Sequence, residues 1–157
     1  WVRPHERELE YQSVSVNDDF GFYAFLFRYP DNSIFKVDFA HYTSSRLKPS
    51  LPWRGLEIDS LYDIAVNKTQ TICVRPRERD YVDLYCILQQ TKWGIKDLMA
   101  DAERKFGVTA DALQITKNLL RAAEIIEYPK MLVPFDAKKM HRFYETLAES
   151  LKPKILR

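Results

Sequence analysis

Apolar and polar positions alternate, or run in short aromatic blocks, up to about residue 42, and recur every three or four residues from residue 59 onward. Residues 8–16 (ELEYQSVSV) favour a strand, 20–29 (FGFYAFLFRY) a second, aromatic-rich one, and 34–42 (IFKVDFAHY) a third. Pro30-Asp31-Asn32-Ser33 between the last two is turn chemistry, so an antiparallel meander is expected. On the third strand Phe35, Val37 and Phe39 share one face and Ile34, Lys36, Asp38 and Ala40 the other, because strand side chains alternate. Asp38 then points away from the aromatic face, either into solvent or toward whatever packs over the sheet. Residues 43–57 (TSSRLKPSLPWRGLE), with two prolines and a glycine, read as a connecting loop, with only helices after it.

The helical part opens with two helices around a short basic turn. Over 59–74, Leu61, Ile64, Ala65 and Ile72 form a stripe, Asp59 or Ser60 caps its start, and Pro76 ends it. At about 100° per residue Lys68 falls in the middle of that stripe. Arg75, Arg77 and Arg79 crowd the turn, and Asp80 and Asp83 follow in a helix with Tyr81, Val82, Leu84, Tyr85, Ile87 and Leu88, closed by Thr91. A helix apolar on nearly every side is a buried one. A third helix carries Ile95, Leu98, Met99, Ala102 and Phe106 and ends at Gly107. Thr109 is expected to cap a fourth, with Ala112, Ile115, Leu119 and Ile126 in register, stopped by Pro129. After YPKMLVPF, Asp136 caps a last helix presenting Met140, Phe143, Tyr144, Leu147 and Leu151. The expected architecture is α+β: one domain over 1–157, with a small antiparallel sheet (1–45) and a helical subdomain (58–157) packed over it.

Composition narrows the function classes without choosing one. The chain has 157 residues, 46% hydrophobic and 29% charged, enough for one domain with a sizeable core. Its 24 basic and 22 acidic residues leave a formal charge of +2, so no global field points to nucleic acid or an anionic membrane. Any anion binding must come from local placement. The longest apolar run, Phe22 to Phe27, is too short to span a bilayer, and the first residues lack the pattern of a secretory signal. Cys73 and Cys86 have no metal-type spacing, and so few cysteines suit a reducing cytoplasm. None of His5, His41 and His141 pairs with another at metal spacing or adjoins a nucleophile, which removes support for triad and zinc chemistry.

The charges within apolar segments form one constellation: Asp38 on a sheet face, Lys68 on a helix, Arg75 near the turn, and Asp80 with Asp83 on the next helix. Nucleotidyl or phosphoryl transfer needs carboxylates for divalent metal and the attacking hydroxyl, and cations for the triphosphate. The alternative is an ion-pair network, Lys68 and Arg79 with Asp80 and Asp83, that merely locks the helical hairpin.

The run IDSLYDIAVNKTQTICVRPRERDYVDLYCIL resembles the AbiEii/AbiGii nucleotidyltransferase toxins of the polymerase-beta-like superfamily. The family's helix lysine, following arginine and Arg/Lys-Asp-x-x-Asp-Leu segment match Lys68, Arg75 and Arg79-Asp80-Tyr81-Val82-Asp83-Leu84. The strand KVDF, Lys36 to Phe39, is similar to the family's third-carboxylate strand. The resemblance covers residues 30–150 and implies that Asp38 holds Mg²⁺ or acts as base, that Lys68 and Asp80 are catalytic, and that Lys36, Lys68, Arg75, Arg79 and Asp83 bind substrate. It also implies a nucleoside triphosphate substrate, an RNA or protein acceptor, an antitoxin partner and no membrane. One departure stands out. The Gly-rich segment and Asp-x-Asp strand that normally precede the third carboxylate are missing, and Asp18-Asp19 is adjacent rather than spaced by one. Two of three expected metal carboxylates are thus lacking. With no initiator methionine, the expectation is either the carboxy-terminal part of a longer enzyme or a degenerate relative with little or no activity. The rival class is a non-catalytic module that binds an antitoxin or other protein. A nuclease, suggested by Pro30-Asp31, is discounted because no Glu-x-Lys or Asp-x-Lys follows on a later strand.

Overall fold

The computed structural model describes residues 8–19, 21–109 and 111–151. The chain forms two compact units, Trp1–Thr43 and Ser44–Arg157. The first is an antiparallel sheet in the order β1 (Ser13–Asp19), β2 (Phe22–Arg28), β3 (Ile34–Ala40). Asp31 builds the β2–β3 turn by accepting the Ser33 N–H on its carboxylate at 2.9 Å, while Asn32 takes φ of 64°, a conformation asparagine tolerates. The register sets Tyr23 opposite Phe39, Phe25 opposite Val37 and Phe27 opposite Phe35, so these residues share the expected face, while Phe22, opposite Ala40, lies on the face of Lys36 and Asp38. Phe25 stacks on Phe27 and meets Phe39 edge-on. Among the described residues of this unit only Phe27 and Ala24 are buried; Phe35 and Phe39 stay substantially exposed. The first strand starts later than the alternation predicts, so Asp18 and Asp19 are paired strand residues opposite Tyr23 and Phe22.

In the second unit the first surprise lies within 43–57, which is not all loop. Leu51–Trp53 (β4) and Leu56–Ile58 (β5) form a hairpin around Arg54 and Gly55, with φ of 48° and 79°. Two successive positive φ values are what a two-residue turn of primed type needs to match the strand twist. Among the described residues five α-helices follow: α1 (Leu61–Val74), α2 (Glu78–Gln90), α3 (Ile95–Phe106), α4 (Ala112–Leu120) and α5 (Ala137–Leu151). No described helix is long and apolar enough to cross a membrane. Ala65, Val66 and Ile72 of α1, Tyr81 and Leu84 of α2, Leu98 of α3, Leu119 of α4 and Met140 and Tyr144 of α5 meet in one core.

The α3 stripe forms as the periodicity predicts, with Ile95, Leu98 and Ala102 buried and Gly107 ending the helix at φ of 66°. Asp136 caps α5 by accepting the Lys139 N–H. Two other helices differ. Asp111, not Thr109, caps α4, accepting the Gln114 N–H at 3.2 Å, while the Thr109 hydroxyl donates to Glu103. That helix stops at Leu120 and tightens into a 3₁₀ turn over Arg121–Glu124. The tighter winding advances the phase faster than 100° per residue, so Ile125 enters the core and Ile126 is left 88% exposed.

The stripe on α1 is rotated from its expected position. The buried residues are Asp63, Ala65, Val66, Thr69, Ile72 and Cys73, Ile64 is only partly buried, and Leu61 is 47% exposed. Lys68 therefore lies at the margin of the buried face, not in its middle. A search for apolar period alone discounts Asp63 and Thr69, and so centres the stripe on the wrong side.

Candidate functional site

The α1–α2 hairpin carries the site. Pro76 removes an N–H and halts α1, and Arg77 starts α2 in extended conformation. Asp80, in the first turn of α2, accepts the Arg77 backbone N–H on Oδ2 at 3.1 Å, the reciprocal half of a capping box, and this fixes its carboxylate over the turn. Its other oxygen faces α1. Lys68 Nζ lies 2.8 Å from Asp80 Oδ1 and 2.6 Å from Asp83 Oδ2. Asp80 is buried, Lys68 largely so, and Asp83 is nearly half exposed. The expectation that all three charges are interior thus holds only in part: α2 turns Asp83 outward while burying Tyr81, Leu84 and Ile87.

Burial alone would depress the Lys68 ammonium, but its hydrogen bonds to Asp80 and Asp83 outweigh that and raise it above the usual lysine range. It remains a cation at neutral pH. An ammonium has three N–H donors, and two are occupied by the carboxylates, so one stays available for an incoming acceptor. Arg75, Arg77 and Arg79 are exposed beside this cluster, and none is engaged in an ion pair among the described residues. Arg79 is therefore not part of the Lys68 network, contrary to the structural alternative for this turn. The result is one ammonium braced by two carboxylates, with three exposed arginines on the adjoining turn that have no ion pair among the described residues, a disposition that suits a phosphate chain.

Asp38 and Lys36 belong to the sheet unit. On β3 they share the non-aromatic face, and Lys36 Nζ contacts Asp38 Oδ2 at 2.9 Å with both side chains about half exposed. Among the described residues no group of three or more His, Cys, Asp or Glu is placed to hold a metal ion. Asp38 is taken up by Lys36, and Asp80 and Asp83 by Lys68, so these carboxylates as they stand do not fit a Mg²⁺ site. Cys73 and Cys86 are free thiols, and burial pushes the Cys73 thiol up to about 11, which makes it inert packing.

The most deeply buried charge pair escaped the sequence reading. Asp63 on α1 and Lys105 on α3 meet at 2.9 Å with side chains 0% and 1% exposed. Asp63 also accepts from the backbone N–H groups of Leu47 and Lys48 and from the Ser60 hydroxyl, while Lys105 donates to Asn67. The pair thus pins the chain before β4 to α1 and α3. Signals existed: Ser60-x-x-Asp63 is a capping-box spacing, and Lys105 is seven residues from Leu98 on the α3 stripe. Burial would raise the Asp63 carboxyl, yet the Leu47 N–H, Lys105, Ser60 and the Lys48 N–H together hold it at about 2. A carboxyl depressed in the folded state stabilises the fold above its unfolded value near 3.9 and loses that contribution as pH falls toward 2. Wild-type protein should therefore lose stability between about pH 4 and pH 2. An Asp63→Asn variant, monitored by circular dichroism against pH, should show a flatter acid limb.

No curated protein and no solved structure matches the chain. A family model does, along almost its whole length. That model describes the nucleotidyl transferase AbiEii toxin of type IV toxin–antitoxin systems and matches residues 3–153, so the chain, with its Lys68, Arg75 and Arg79-Asp80-x-x-Asp83 hairpin, belongs to the AbiEii family.

Proposed function

We propose that the α1–α2 hairpin is the triphosphate-receiving half of a nucleotidyl-transfer site, serving transfer of a nucleotidyl group from a nucleoside triphosphate to an acceptor hydroxyl on RNA or protein. The observation that carries this reading is the Lys68 ammonium held between Asp80 and Asp83, on a hairpin whose turn exposes three arginines with no ion pair among the described residues. In this reading the free N–H of Lys68, with Arg75 and Arg79, binds and orients phosphate oxygens, and Asp80 and Asp83 fix where the lysine points. Lys36 and Asp38, in the sheet unit, keep the roles that the family resemblance implies: a substrate contact and a carboxylate for the acceptor proton. Mg²⁺, where bound, would need carboxylates beyond those described and would supply positive charge against the triphosphate. The described carboxylates do not cluster for it, so the chain by itself is read as inactive or incomplete. We place the protein in the cytoplasm, with an antitoxin as its protein partner.

The test is transfer of label from each α-labelled nucleoside triphosphate to total RNA and to protein. The expected outcome is little or no incorporation by this chain alone at any nucleotide. Robust incorporation that survives Asp38→Ala would overturn the assignment of Asp38 and the reading of the chain as incomplete. A second reading has its own support: both carboxylates already occupy Lys68, as a purely structural lock would require. On that account the domain is a non-catalytic module binding an antitoxin or other protein, and Lys68 never meets a phosphate.

A further inference from the structure

The carbonyls of Ile72 and Cys73, at the end of α1, cannot be served by continuing the helix. The residue four beyond Ile72 is Pro76, which has no N–H, and the N–H four beyond Cys73, that of Arg77, is given to Asp80. Both carbonyls are satisfied from another helix: the Asn118 side-chain amide on α4 donates to Ile72 O at 2.9 Å and to Cys73 O at 3.0 Å. Asn118 is 1% exposed, and its own side-chain oxygen accepts from Gln114. Its backbone carbonyl accepts the Tyr81 hydroxyl from α2, and Tyr81's backbone carbonyl in turn accepts the Tyr144 hydroxyl from α5. One asparagine thus grips the helix before the arginine turn with its side chain and the helix after it with its backbone.

We infer that Asn118 is a positioning residue for phosphate binding: it replaces the two N–H groups that the Pro76 break removes and so holds Arg75, two residues past Cys73, in its binding pose. The inference rests on the phosphate-binding reading above. A buried carbonyl without a donor turns toward water, and α1 would unwind at its last turn and carry Arg75 with it.

The test titrates inorganic tripolyphosphate into the full chain by calorimetry, for wild type, Asn118→Ala, Arg75→Ala, the double variant and Leu119→Ala. Leu119 neighbours Asn118 on α4 and packs in the core with an apolar side chain that cannot donate to the α1 carbonyls, so it controls for general destabilisation. Asn118→Ala is expected to weaken binding by about tenfold, the scale of one charge-assisted hydrogen bond. The double variant should bind no more weakly than Arg75→Ala alone, because Asn118 acts through Arg75. Leu119→Ala, measured below its unfolding transition, should bind as wild type does. Asn118→Ser keeps one donor and should fall between, which preserves the test if the alanine variant does not fold. Wild-type affinity in both Asn118 variants, losses that add to that of Arg75→Ala, or an equal loss in Leu119→Ala would each overturn the inference. If wild type does not bind tripolyphosphate, the phosphate-binding reading fails first and takes this inference with it, whereas unchanged binding in Arg75→Ala removes the role of Arg75 and overturns this inference alone. A failure confined to the Asn118 variants leaves that reading standing.

Discussion

Asp63→Ala is expected to lower the unfolding free energy by about 3–5 kcal/mol, the cost of leaving the buried Lys105 ammonium without its carboxylate. Lys105 would lose its ion pair with a side chain 1% exposed, and the Leu47 and Lys48 N–H groups would lose their acceptor. Few single changes reach that size without creating a large cavity or breaking such a network. One further variant, a double substitution, separates the pair from its hydrogen bonds. Lys105→Met with Asp63→Asn removes both charges and keeps one side-chain oxygen for the loop, so it should recover part of the loss. The readout is urea unfolding followed by far-ultraviolet circular dichroism, since all five helices lie in the unit that the pair ties together. A change below about 0.5 kcal/mol, the range of an ordinary surface substitution, would mean that the pair is not what holds the 46–48 segment.

The second large effect is functional. Lys68→Ala should abolish measurable triphosphate binding at concentrations where wild type is half saturated. The reason is charge arithmetic within the cluster. With Lys68 present, the ammonium offsets one of two carboxylates and offers a donor; without it, Asp80 and Asp83 face an incoming phosphate as two uncompensated anions. Loss of a charge-assisted hydrogen bond costs about 1.5–3 kcal/mol, or roughly tenfold to over a hundredfold in affinity, before the added repulsion is counted. Lys68→Arg should retain part of the binding, because it keeps the charge but cannot seat a planar fork between two carboxylates set for a compact ammonium. Melting curves for both variants would separate lost binding from lost fold.

How much of this could be read in the sequence varies by feature. The three strands, the turn at Pro30–Ser33, the α3 stripe and the Asp136 cap all follow from local rules that act within a few residues. The hairpin at β4 and β5 did not show, because its strands are three residues each and its turn depends on a positive φ at Arg54, a residue that rarely takes one. The switch from Ile126 to Ile125 was hidden in a 3₁₀ tightening that no apolar period encodes. In the site, Lys68 with Asp80 and Asp83 was legible from one helical turn of spacing and from family motifs. Asp63 with Lys105 was not, since a pattern search that counts charges as surface passes over an ion pair formed between helices 42 residues apart. Asn118 was invisible for a similar reason: its partners are backbone carbonyls, which no sequence displays.

The central claim is that the Lys68, Asp80 and Asp83 cluster receives the phosphates of a nucleoside triphosphate. Isothermal titration calorimetry of the full chain with each nucleoside triphosphate and Mg²⁺, in wild type and Lys68→Ala, tests it most directly. The account predicts a saturable heat with at least one nucleotide and its loss in the variant. No heat with any nucleotide, or the same heat in Lys68→Ala, would contradict it and leave the cluster a lock between two helices.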